Sequence, residues 1–150
     1  MVLSATFLSD TIKFIRNDLD SGVTDPISAI RSGRDRFVMT SYPTRPVKYP
    51  IITVKDIGVS APERMGMQSE ISLIRLSIEV RVWARNVKEK DELAEQVFNR
   101  LRQNQYDGAS PSTDAELHDF RLNSMVNVDE PGEAGIKSKV MEYEYIFLTE

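Results

Sequence analysis

The 150-residue chain contains no cysteine. Disulfides, thiolate nucleophiles and cysteine-based zinc or iron–sulfur sites are therefore excluded. Histidine is nearly absent too: His118 is the only one. A histidine metal site or a Ser-His-Asp triad would have to use that one ring, and no ligand-rich cluster accompanies it. Asp119 beside it in a strand would point to the opposite face, so a strand or loop histidine without catalytic duty is expected. No stretch approaches the roughly 20 apolar residues of a membrane-spanning helix. The first ten residues have neither a basic n-region nor an apolar run of signal-peptide length. A soluble protein with no membrane contact is the expectation. Basic charge is also scarce, with 19 Lys and Arg against 23 Asp and Glu and a net charge of -4. A dedicated nucleic-acid-binding domain is usually basic, whereas a mildly acidic wall suits DNA that must slide past without sticking.

What is present is an ordinary globular balance, 41% hydrophobic and 28% charged, in a length that suits one domain. From Ser4 to Asp20, Leu8, Ile12, Ile15 and Leu19 recur at helical spacing, and Ser21-Gly22 is a plausible stop. Val23 to Arg36 reads as an irregular connection. Phe37 to Ser41 suits a short strand, interrupted by Pro43 and Pro46, which confine it to an edge or outside the sheet. Ile51 to Lys55 is a β-branched second strand led by Pro50. Gly58 to Gln68 reads as a loop containing Pro62, Met65, Gly66 and Met67. The clearest strand follows: Ile74, Leu76, Ile78, Val80, Val82 and Ala84 form one face, and Arg75, Ser77, Glu79, Arg81, Trp83 and Arg85 the other. Asn86 is a good cap for a helix from Lys88 to Gln103, whose apolar stripe is Leu93, Ala94, Val97, Phe98 and Leu101. Its opening run, Lys88-Glu89-Lys90-Asp91-Glu92, reads as a solvated first turn. After a turn-rich stretch at Asp107 to Ser112, alternation resumes at Phe120, Leu122, Ser124, Val126 and Val128. A turn at Asp129-Glu130-Pro131-Gly132 leads to a last strand, Val140 to Thr149. There Met141, Tyr143, Tyr145 and Phe147 oppose Glu142 and Glu144, and these last two strands form a hairpin. The fold class is α+β: a mixed, mainly antiparallel sheet of about five strands packed with two helices, in the order α-β-β-β-α-β-β, as a single domain over residues 1–150.

No segment carries recognisable catalytic chemistry. Gly132 to Ser138 has a faint likeness to a phosphate loop but fails on spacing and leads into a strand. Glu142 and Glu144 share a face, yet paired acids catalyse only where burial drives their pKa values apart; a solvated or interface role fits them better. Trp83, between Arg81 and Arg85, is either covered by its own chain or anchors a subunit contact, where Trp and Arg are enriched. Met65 and Met67 offer an adaptable surface, or lie in a loop with no partner.

The run Ile78-Glu79-Val80-Arg81-Val82-Trp83-Ala84-Arg85 leads directly into a helix carrying Glu92-Leu93-Ala94 and Val97-Phe98-Asn99-Arg100-Leu101. Together with Tyr49-Pro50-Ile51-Ile52 and the order of elements, it resembles the tail terminator family of tailed bacteriophages and related archaeal viruses. The resemblance extends over nearly the whole chain, although the Val23 to Arg36 connection departs from it. It implies a non-enzymatic virion protein without metal or cofactor, assembled in the host cytoplasm and located in the tail or neck. Such a protein forms a homo-hexameric ring that caps the tail tube protein, ends its polymerisation and joins a head-completion or connector protein. DNA passes through the lumen without sequence-specific binding. The candidate subunit or partner contacts are Arg64, Met65, Met67, Arg81, Trp83, Arg85, Glu142 and Glu144.

Other classes make different demands. Another neck component, a head-completion or adaptor protein, would often be more helical than a chain with five strands. A small-ligand or enzymatic α+β domain needs a concave pocket with convergent polar groups. A nucleic-acid binder would need Arg31, Arg34, Arg36, Arg45 and Lys48 in one patch, with Tyr42 and Tyr49 as stacking platforms.

Overall fold

The computed structural model describes the backbone of residues 7–31, 36–41, 47–64, 72–106, 118–129 and 136–149. It describes their side chains except at 7–8, 59–64, 72–74, 104–106, 118–119, 129 and 147–149. Met65 and Met67, the turn-rich stretch at 107–112 and the turn at 130–132 lie outside the described residues, as do Arg34, Tyr42, Pro43, Arg45 and Pro46.

Among the described residues, two helices and five strands follow in the expected order: α1 (Phe7–Gly22), β1 (Val38–Met39), β2 (Ile51–Arg64), β3 (Ser72–Ala84), α2 (Val87–Tyr106), β4 (His118–Asp129) and β5 (Lys137–Thr149). A single 3-10 turn, Ser28–Ile30, interrupts the connection after α1. The sheet order is β1-β2-β3-β5-β4. Among the described strands β1 alone runs parallel to its neighbour, and the other pairings are antiparallel.

Strand β3 carries the strictest alternation and takes the centre. Its whole length pairs with β5, from Ser72↔Thr149 to Ala84↔Lys137, without a register shift. Leu76, Ile78, Val80, Val82 and Ala84 are fully buried on one face, matched on β5 by Met141, Tyr143 and Tyr145. Both helices pack on that face. The stripe of α1 supplies Ile12, Ile15 and Leu19, and that of α2 supplies Leu93, Ala94, Val97 and Leu101, all in one cluster with the strand residues. Each large side chain so buried contributes roughly 1.5–3 kcal/mol before conformational entropy is subtracted. Phe98 joins Phe120 at 5.9 Å between ring centroids, and Phe120 stacks on Tyr143 at 5.1 Å. β4 is thereby tied to α2 and β5.

Asn86 caps α2 as expected: its Oδ1 accepts the Glu89 N–H at 2.9 Å. The Glu89 carboxylate reaches back to the N–H of Arg85 at 3.2 Å, a capping-box arrangement displaced by one residue. The opening turn of α2 is less solvated than its composition indicates, because Lys90 is buried.

Three expectations are corrected. The Gly58–Gln68 loop is strand as far as Arg64, since β2 follows β3 through register shifts at Asp56/Gly58 and Ser60/Glu63. Those bulges absorb Gly58 and Pro62, the residues that read as loop punctuation. Phe120, Leu122, Ser124, Val126 and Val128 do not share one face. A shift between Leu122 and Ser124 leaves Leu122 opposite Tyr143 on the helix side and turns Ser124, Val126 and Val128 outward, opposite Glu142, Val140 and Ser138. Finally, β3 ends at Ala84, so Arg85 is not on the Trp83 face. It turns back to bond Glu89.

Candidate functional site

Neither α1 nor α2 packs on the second face of the sheet, since their described core contacts lie on the first. Reading the registers across β2, β3, β5 and β4 gives its rows: Ile51–Trp83–Ser138–Val128, then Thr53–Arg81–Val140–Val126, Lys55–Glu79–Glu142–Ser124, and Gly58–Ser77–Glu144–Arg121. One end is apolar around a Trp–Arg pair and the other is charged.

The apolar end is held by two bonded side chains. Arg81 lies over the Trp83 ring, its guanidinium carbon 3.8 Å from the centroid, a cation–π contact. Arg81 donates to Ser138 Oγ at 3.1 Å, and Ser138 donates on to the Val128 carbonyl at 2.6 Å. The Trp83 indole N–H points to Thr53 Oγ1 at 3.4 Å. Four strands are thus stitched together on this face. Trp83 is only 9% exposed, so its own chain covers it, and Arg81 with the valines around it forms the accessible surface.

In the charged rows, Glu79 stands directly opposite Glu142, a like-charge pair that costs stability unless compensated. Lys55 offsets it from the next strand, with its Nζ 3.6 Å from Glu79. Glu144 has Arg121 opposite it on β4. Glu142 and Glu144 are both half-buried and do share a face. Arg85 is removed from this surface: its guanidinium holds Glu89 at 2.6 Å. That hydrogen bond keeps the Glu89 carboxyl below its ordinary range and raises Arg85. Arg64 closes β2 opposite Ser72, at the far end of the hairpin from Trp83.

The sequence places the short β1 at an edge, as found, but indicates neither the length of β2 beyond it nor the β4 edge. β1 covers β2 only at Ile52 and Thr53, and among the described residues nothing pairs with the outer side of β2 beyond them or with the outer side of β4. Six large hydrophobic side chains are exposed among the described residues, and four lie on these two strands: Ile57, 48% exposed, on β2 and Leu122, Met125 and Val126 on β4. A pattern of Leu, Met and Val on a strand with no Lys or Pro was the available signal, but the bulge that exposes both of its faces is not visible in the sequence.

Elsewhere the surface has open clefts. The one between α1 and the following connection, about 580 Å³, is lined by residues including Arg16, Asp20, Asp25, Arg31 and Arg36. Arg31 is committed there: it bonds Asp25 at 2.6 Å and the carbonyls of Lys48 and Pro50. The Lys48 ammonium bonds the Ile30 carbonyl. Two of the five cations in the postulated nucleic-acid patch therefore serve as internal clamps. Among the described residues no group of three or more His, Asp or Glu is placed to hold a metal ion, and no helix is long and apolar enough to cross a membrane. Neither a protein-family model nor a curated protein matches the chain.

Proposed function

We propose that this chain is a structural subunit of a virus particle, a tail terminator that assembles as a ring on the end of the tail tube, stops its growth and joins it to the head. The observation that carries the reading is the asymmetry of the sheet: one face is sealed by both helices, the other has neither helix on it, and two unlike edges carry most of the exposed large hydrophobics among the described residues. A closed ring requires two different surfaces on each subunit, meeting head to tail. An open face bearing Arg81, Val126, Val140, Glu142 and Glu144 supplies mixed apolar and charged contacts for the tube or head partner. The implied partners are further copies of the chain, the tail tube protein and a connector protein, with the virion neck as location.

The reading is tested by light scattering and electron microscopy on the purified protein, alone and with uncapped cognate tail tubes. Rings of six subunits that bind tube ends support it. Rings that ignore tubes but bind the head vertex favour another neck role. A monomer indifferent to both sinks the proposal.

A further inference from the structure

The two exposed sheet edges fit each other. Starting from β2, three successive antiparallel pairings make β4 run opposite to β2. A neighbour related by rotation about an axis along the strands keeps its strand direction and its helix side. Its β2 then lies antiparallel to the β4 of the first copy, the geometry in which strands are joined with perpendicular hydrogen bonds. The available stretches match in height. Asp56 is level, through Ile78 and Tyr143, with Leu122. Among the described residues β1 pairs only with Ile52 and Thr53, and no described strand lies beside β2 on that side from Val54 onward.

The two edges differ in how they are protected. Lys55, with its side chain 63% exposed, and Pro62, which lacks an N–H, discourage β2 from pairing with another β2. β4 has neither residue and exposes apolar side chains on both faces, an unusual state for a strand meant to stay in water. Ile57, at the β2 bulge, offers an apolar partner for Leu122, Met125 and Val126.

We infer that copies of this chain join head to tail, the β4 edge of one seating on the 54–60 edge of β2 in the next. The inference deepens the ring reading and rests on it for the closure of the assembly.

The absence of cysteine makes a direct test available. Asp56→Cys and Asn123→Cys, both at exposed positions on the two edges, are prepared separately, one with a size tag. They are mixed at high concentration and treated with a short bismaleimide. The expected product is the mixed dimer, in excess of either homodimer. Val126→Lys in the Asn123→Cys protein should cut the mixed product about tenfold or more, equivalent to about 1.4 kcal/mol, with an unchanged melting temperature showing that the fold is intact. A dominant Asn123→Cys homodimer would replace the inference with symmetric β4 pairing. Closed rings by light scattering without the mixed product would overturn the edge contact and leave the ring standing. Monomers without cross-links would overturn the edge contact, and the ring reading with it where tail tubes and the head vertex also fail to capture the protein.

Discussion

Tyr143 and Tyr145 sit two residues apart on β5, both fully buried, with different solutions for their hydroxyls. Tyr145 donates to the Leu101 carbonyl of α2 at 2.9 Å, whereas Tyr143 reaches only the Met141 sulfur at 3.0 Å. Sulfur is a weak acceptor, and burial pushes the Tyr143 phenol well above its ordinary range. Tyr145→Phe should therefore cost about 1 kcal/mol in urea unfolding, and Tyr143→Phe about half that or less. Equal losses would show that the sulfur contact matches the carbonyl bond. Glu89 gives the residue scale its pH dependence. The Arg85 hydrogen bond lowers its folded pKa, so the stabilisation is fully present above the unfolded value, about 4.3, and is lost as pH falls through the lower folded value. Glu89→Gln should destabilise the protein at neutral pH and flatten its stability profile below about pH 4. Identical profiles for the two proteins would remove Glu89 from the acid response.

Between elements, the α1–α2 contact depends on a missing side chain. Arg100 of α2 crosses the end of α1 to bond Asp18 at 2.5 Å, and a Cβ on Gly22 would lie 2.6 Å from its Cδ. Gly22→Ala gains helix propensity but displaces a guanidinium whose charged hydrogen bonds are worth about 1.5–3 kcal/mol. A net loss of about 1–2 kcal/mol is expected, vanishing or changing sign in an Arg100→Ala background. A loss of the same size in both backgrounds would place the strain elsewhere. This contact could not be read in the sequence, because Gly22 reads there only as a helix stop. Legibility followed local regularity. The alternation of β3, the stripe of α2 and the Asn86 cap announce themselves, and each is found where its pattern places it. The 14-residue β2 was half hidden because a strand lying on a long straight neighbour can carry glycine and proline at its bulges. β4 kept its strand character but lost its single apolar face, since one extra residue reverses every side chain beyond it.

For the whole molecule, the division is between a sealed side and an open one. Trp83 and Arg81 were conspicuous in the sequence as an aromatic flanked by charge, and the structure adds that Trp83 braces the open face from within while Arg81 and smaller neighbours form its surface. Glu142 and Glu144 could be placed on that face by alternation alone, but their opposition to Glu79 and Arg121 depends on which strands are neighbours, which only the three-dimensional pairing supplies. The same strand order has a consequence for how the protein is made. β5 lies between β3 and β4, and among the described strands β5 alone pairs with β4. A ribosome releasing this chain therefore sets free the helices, the β2–β3 hairpin and β4 before the strand that joins them exists. Until Lys137–Thr149 emerges, the apolar side of β3 lacks its central partner and β4 lacks any strand to pair with. Nascent chains in that condition are the natural clients of chaperones, and the sheet is completed only once β5 has emerged.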